Sequence, residues 1–241
     1  MKKGFTLIEL LGVIILLGVL ALITYPIVDN AIKNSSAKAL DESINNIENA
    51  AMQYGTQNNL GYDITYQTLE LGILKESGYL KDEQIKNPET DQPLNGCVGY
   101  VWSESSKQYI FVYSDDCVLP TEESCFTFNS ETRTITDYNS ECTKDVVIPG
   151  VIGGITVETI DYDAFSWNSL TSINFDYLTG VKYIKGNAFS GNNLTYVNIS
   201  KLKSIEEFSH SAFDCNNVSK KNFKGKDNYN YNYFEWRCDP R

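Results

Sequence analysis

The chain opens MKKGFTLIELLGVIILLGVLALITYPIV, residues 1–28. After the short basic leader Met1–Gly4, the run from Phe5 to Val28 is 24 residues long and almost wholly apolar. As a helix it is long enough to cross a hydrocarbon core of about 30 Å. Lys2 and Lys3 would stay on the cytoplasmic side, which sends the rest of the chain outward. Glu9 does not fit a plain span, because an ionised side chain inside lipid costs several kcal/mol. A secretory signal would carry an unbroken apolar centre and a small-residue cleavage site. Glu9 interrupts the first, and Thr24-Tyr25-Pro26 offers no such site.

Gly4-Phe5-Thr6-Leu7-Ile8-Glu9 resembles the prepilin motif of type IV pilins and pseudopilins. The resemblance implies a prepilin peptidase/N-methyltransferase that cuts after Gly4 and methylates the new amine of Phe5. It also implies that Glu9 pairs with the amine of a neighbouring pilin-like subunit. Charge physics agrees, since a buried carboxylate is tolerable when a cation meets it. Pro26 resembles the helix-kinking proline of many pilins and is expected to bend or loosen the helix.

Leu40, Ile44, Ile47, Ala51 and Tyr54 recur at intervals of 4, 3, 4 and 3. This stripe continues the helix beyond the membrane and needs a surface to pack on. Gly55 and the polar residues after it are expected to end it. A short helix over 68–80 stopped by Gly78 follows, then an Asn87-Pro88 loop. Residues 97–102 and 108–113 read as a hairpin. This order resembles the small heads of pilin-like proteins. The formal net charge of -11 is concentrated here: residues 36–124 carry 5 basic and 15 acidic groups. That balance excludes a nucleic-acid coat, which needs a basic excess.

The 6 Cys include no C-x-x-C pair, and the chain has 1 His, so no metal site is expected. An even number of dispersed Cys behind an export segment reads as disulfides outside the cytosol. Cys97 and Cys117 flank the first hairpin; Cys125 and Cys142 would close a second, over 125–136; Cys215 and Cys238 remain as the third pair.

Beyond residue 146 the chain repeats with a step of 24: Ile160, Ile184, Phe208; Ala164, Ala188, Ala212; Phe165, Phe189, Phe213; Leu170, Leu194, Val218; Phe175, Ile199, Phe223. One period shared by so many apolar positions indicates a solenoid, whose units bury their apolar edges by stacking. Lys221 stands where Ile173 and Val197 stood, so the third strand degrades toward a cap. Leu170-x-x-Ile173-x-Phe175 and Leu194-x-x-Val197-x-Ile199, with the Ala-Phe blocks and the Val147–Val157 lead-in, resemble BspA-like leucine-rich repeats of bacterial surface proteins. Strand alternation then turns Ser172, Asn174, Asp176, Tyr196, Asn198 and Ser200 outward as a candidate binding face. Tyr229, Tyr231, Tyr233 and Trp236 form an alternative aromatic platform for sugar in the tail.

The expected fold is α+β: a long N-terminal transmembrane helix packed on a small β head, then a short leucine-rich-repeat solenoid. The expected segments are a leader (1–4), a transmembrane and assembly helix (5–28), a head (29–124), a disulfide-closed hairpin (125–145), repeats (146–223) and a tail (224–241). Nucleotide, metalloprotease and serine-hydrolase motifs are absent from the sequence, so neither enzymatic activity nor a cofactor is expected. The expected function is a subunit of a type IV pilus or related filament, displaying repeats for adhesion to a surface protein or glycan. Two alternatives stay open: a minor pseudopilin of a secretion or DNA-uptake machine, and a membrane-anchored surface protein that does not polymerise. The expected location is the cytoplasmic membrane as a single-pass protein with its C-terminal part outside, then the cell surface.

Overall fold

The computed structural model describes residues 7–81, 85–88, 90–219 and 222–225. It is α+β, with one long N-terminal apolar helix and a β-rich remainder. Helix α1 (Leu7–Asn58) has 52 residues and is about 78 Å long. Its two halves differ in what covers them. Leu7, Leu22 and Tyr25 are 86%, 78% and 74% exposed, and the other large apolar side chains described up to Ile32 are also exposed. Ile47, Ala50 and Ala51 are buried, with Leu40, Ile44 and Tyr54 packed beside them. The stripe seen in the sequence is therefore the face that meets the head.

The helix continues past Pro26, whose ring removes the donor to Leu22. It passes Gly55 and ends at Asn58, within the polar run expected to end it, where Asn59 takes φ 49°. Gly55 is a packing residue: a Cβ there would lie 2.9 Å from Leu60 and 3.0 Å from Phe111.

The segment expected as one helix over 68–80 divides into strand β1 (Gln67–Glu70) and helix α2 (Leu71–Glu76). Leu69, Leu71 and Leu74 are all buried, so their spacing serves a strand and a turn of helix equally well. Strand β1 pairs antiparallel with β2 (Cys97–Ser103), which forms the expected hairpin with β3 (Gln108–Ser114). Together with the 47–51 face of α1, this sheet encloses the first core.

The second core begins with β4 (Phe126–Asn129) and β5 (Thr134–Tyr138), an antiparallel pair with an irregularity at Thr127/Phe128. Then come β6 (Asp145–Val147), the small hairpin β7 (Val151–Ile152) and β8 (Ile155–Thr156), and β9 (Thr159–Ile160). Strands β10 (Ser172–Asn174), β11 (Tyr183–Ile184), β12 (Val197–Asn198), β13 (Glu207–Phe208) and β14 (Phe223–Lys224) complete the chain. Strands β5, β9, β11 and β13 lie parallel in one five-stranded sheet whose far edge is β4, with Ile135, Ile160, Ile184 and Phe208 in register. Between the strand layers, Tyr138, Phe165, Phe189 and Phe213 stack with centroids 5.2, 4.9 and 4.9 Å apart.

The last pairing differs from the constant step. Phe223 stands opposite Val197 rather than Ile199, a step of 26 residues, against 24 from Ile173 to Val197 and 27 between the paired Val146 and Ile173. Lys221 lies outside the described residues.

Candidate functional site

Strand β10 carries Ser172 and Asn174, and Asp176 follows it. Tyr196, Asn198 and Ser200 occupy the corresponding places along β12. Ser172 Oγ and Thr171 Oγ1 donate to Asp145 Oδ1 at 2.8 and 2.7 Å. These two bonds hold the Asp145 carboxyl below its usual range. Asn174 Oδ1 accepts the Asp176 N–H at 2.7 Å, and Asn198 Oδ1 accepts from both the N–H and the hydroxyl of Ser200. Each asparagine thus closes a local turn at its strand end. Lys224 Nζ stands 5.9 Å from the centre of the Tyr196 ring, within reach of a cation–π contact.

None of the six residues is buried, whereas Ile173, Phe175, Val197 and Ile199 between them are. Asp176 and Ser200 line a cavity of about 370 Å³ together with Asp41 and Glu48 of α1, Tyr113 of β3, and Lys201 and Lys203. Lys201 pairs with Asp176 at 3.1 Å. Lys203 reaches Asn45 at 3.2 Å and Glu48 at 3.8 Å. Ser172, Tyr196 and Ser200 are exposed, while Asn174, Asp176 and Asn198 are half-buried.

The structure pairs Cys97 with Cys117, with Cα atoms 5.3 Å apart, and Cys125 with Cys142, 6.0 Å apart. Cys215 sits in a turn at φ 58°. Cys238, Tyr229, Tyr231, Tyr233 and Trp236 lie outside the described residues, as do Gly4, Phe5 and the side chain of Glu9.

Several residues that hold the arrangement together escaped sequence reading. Asn168, Asn192 and Asn216 keep the same 24-residue step. Asn192 Oδ1 accepts the N–H groups of Asn168 and Leu170, and its Nδ2 donates to the Phe165 and Phe189 carbonyls. Asn216 repeats the pattern on Leu194, Phe189 and Phe213. Trp167, Gly191 and Cys215, one residue earlier, share positive φ values of 56°, 69° and 58°. Here the periodicity was visible, but only in polar and turn residues.

With that geometry in place, two protein families match parts of the chain. The family described as Prokaryotic N-terminal methylation motif matches residues 1–25. The family described as BspA type Leucine rich repeat region (6 copies) matches residues 138–238, which takes in Tyr138 at the head of the aromatic stack. No curated protein and no solved structure matches the chain. The methylation motif on an apolar helix and the repeats support a type IV pilin-like protein that carries a leucine-rich-repeat module. The motif implies processing by prepilin peptidase.

Proposed function

We propose that this protein is a membrane-inserted, peptidase-processed filament subunit whose repeats engage a partner outside the cell. The observation that carries the reading is the division of α1. One face of its outer part, from Leu40 to Tyr54, is covered by the head, whereas its first part exposes a continuous apolar surface. Such a surface needs a cover, because soluble proteins rarely leave large apolar patches in water. Lipid supplies that cover before assembly and the helices of neighbouring subunits supply it afterwards. Cleavage between Gly4 and Phe5, methylation of Phe5 and pairing of Glu9 with a neighbour's Phe5 amine move the helix from one cover to the other.

In this reading residues 1–4 are the leader, 5–28 the span and assembly helix, and 29–124 a pilin-like head. The disulfide-closed hairpin 125–145 caps the first turn of a short solenoid over 146–223, and 224–241 forms the tail. Stacked repeats need such a cap to shield their terminal edge. Ser172, Asn174, Asp176, Tyr196, Asn198 and Ser200 form the contact face for a surface protein or glycan, while Lys203 ties its far end to α1. The folded part stands outside a single-pass anchor.

Mass spectrometry of the purified chain should find an N-terminal N-methylphenylalanine at position 5. Glu9→Ala should lower recovery of the chain in sheared filaments by about tenfold, without lowering its level in membranes. An intact Met1 would overturn the processing, and full recovery of the variant would leave a membrane-anchored surface protein that does not polymerise.

One observation favours a minor subunit, including a tip adaptor of a secretion or uptake machine, over a major one. The repeats hold Asn45 and Glu48 of α1 through Lys203, space that closely packed neighbouring heads would need.

A further inference from the structure

The head carries a second concave surface, away from the strand face. A groove of about 470 Å³ lies where α1 ends, lined by Gly55, Thr56, Asn59, Tyr62, Trp102 and Tyr109 among others. Its volume falls in the range of small-molecule sites, which combine aromatic walls with a few placed polar groups.

The walls are three rings in series. Tyr62 meets Trp102 with centroids 4.7 Å apart and planes at 68°, and Trp102 meets Tyr109 at 5.1 Å and 69°. Trp102 and Tyr109 are cross-strand partners in the β2–β3 hairpin, so the sheet fixes their separation. The indole is oriented by its own N–H, which donates to Glu104 Oε1 at 2.8 Å, while Lys107 holds the other oxygen of Glu104 at 2.6 Å.

Tyr62 is 75% exposed, yet the loop beneath it is tightly built. Gly61 takes φ +78°, a conformation that suits glycine. The Asp63 carbonyl accepts the Trp102 N–H at 3.0 Å. The Asp63 carboxylate accepts from the N–H and hydroxyl of Thr65 and from Gln67 Nε2. This hydrogen bonding ties the loop to strand β2 and, through Gln67, to the buried Tyr100. It presets a ring for contact, and rigid Tyr and Trp side chains give contact area at low entropic cost.

Charge narrows the ligand. The named lining residues are uncharged, and the flanking Asp63 and Glu104 are acids whose carboxyls are held below their usual range by hydrogen bonds, from Thr65 and from Lys107 respectively. The flanking cation, Lys107, is already paired with Glu104, so an anion is disfavoured. Thr56 Oγ1 donates to the Met52 carbonyl at 2.8 Å, but the exposed Asn59 amide and the tyrosine hydroxyls give the groove a polar rim that a peptide of purely apolar side chains would not engage. A pyranose ring presents C–H faces to aromatic walls and hydroxyls to such a rim.

We propose that the groove formed by Tyr62, Trp102 and Tyr109 binds a neutral saccharide. It is a site separate from the repeat face and stands whether or not that face binds anything.

The test uses the full chain in a zwitterionic detergent without sugar, carrying Trp167→Phe and Trp236→Phe so that Trp102 alone reports. Neutral trisaccharides of glucose, galactose, mannose and N-acetylglucosamine are titrated, with 3′-sialyllactose and an apolar tripeptide alongside. At least one neutral sugar should give a saturable fluorescence change. Tyr62→Ala should raise its Kd by about tenfold, the scale of one lost aromatic contact. Ser172→Ala should leave that Kd unchanged, and circular dichroism checks that each variant is folded. The proposal is overturned by saturation with none of the neutral sugars, by a Kd indifferent to Tyr62→Ala, or by an equal or stronger response to sialyllactose or the peptide.

Discussion

Asn192 is 4% exposed and holds two turns of the repeat through one amide. Its oxygen satisfies the N–H groups of Asn168 and Leu170, and its nitrogen serves the carbonyls of Phe165 and Phe189. Removing the amide strands several backbone groups inside the protein, and unsatisfied buried groups are costly. Asn192→Ala should therefore lower unfolding stability by about 3 kcal/mol, measured by urea denaturation. Asn193→Ala, at the exposed neighbour, should change it by less than about 0.5 kcal/mol. Equal effects at the two positions would remove the ladder's role. The ladder was in plain view at a 24-residue step. Asparagine reads locally as a turn former, however, and only the backbone paths on either side reveal it as a buried bridge.

Along the parallel sheet, Arg133, Glu158, Lys182 and Glu206 follow one another at steps of 25, 24 and 24. Glu158 accepts from Lys182 at 2.8 Å and from Arg133 on its other oxygen. The Lys182 hydrogen bond, supported by Arg133, holds the Glu158 carboxyl below its usual range. A carboxyl depressed in the folded state adds stability at neutral pH, and that stability is lost as pH falls through the depressed value, below the ordinary glutamate range. Both cations are partly exposed, so solvent screens the contribution to a modest one. Glu158→Gln should lower Tm by on the order of 2 °C at pH 7, with the gap narrowing as the pH falls below the ordinary glutamate range. Parallel melting curves across that range would show that the ladder contributes nothing.

The strands themselves were less legible than their side chains. The apolar step located Ile160, Ile184 and Phe208 correctly, because stacking demands constant spacing. The same step misplaced Phe223, because a two-residue insertion leaves composition unchanged while moving the register. Strand β1 was hidden for another reason: Leu69, Leu71 and Leu74 satisfy both periods, and only pairing with β2 decides between them. The α1 stripe was easy to read, because five apolar positions at alternating steps of 4 and 3 fall on one side of a helix and on no single face of a strand.

At the scale of the whole molecule, the head and the repeats are joined by contacts that no local pattern announces. Tyr66 and Gly150 are 84 residues apart, yet the Tyr66 hydroxyl accepts the N–H groups of Gly150 and Val151 at 2.8 and 2.9 Å. The Tyr66 ring meets Tyr177 edge-on at 5.2 Å, and the Tyr177 hydroxyl donates to the Val118 carbonyl at 3.1 Å. Ser103 and Ser105 bond Thr156 across the same seam. Glycine is required at two places there. A Cβ on Gly99 would enter the Tyr177 ring, and one on Gly150 would fall on the Tyr177 carbonyl oxygen. The ring could swing aside, but the carbonyl belongs to the backbone and cannot move alone. Two cores joined in this way should melt together. Trp102 reports on the head and Trp167 on the repeats, so single-tryptophan variants should give coincident unfolding curves in the otherwise native chain. Gly150→Ala should separate those curves, and so should Tyr66→Phe, which keeps the ring but strands two N–H groups. Gly72→Ala, where no atom lies within 4 Å of the new methyl group, should leave them superimposed. Curves that stay coincident in Gly150→Ala would mean that the seam is dispensable, and that a partner held by the repeats is not rigidly coupled to the helix.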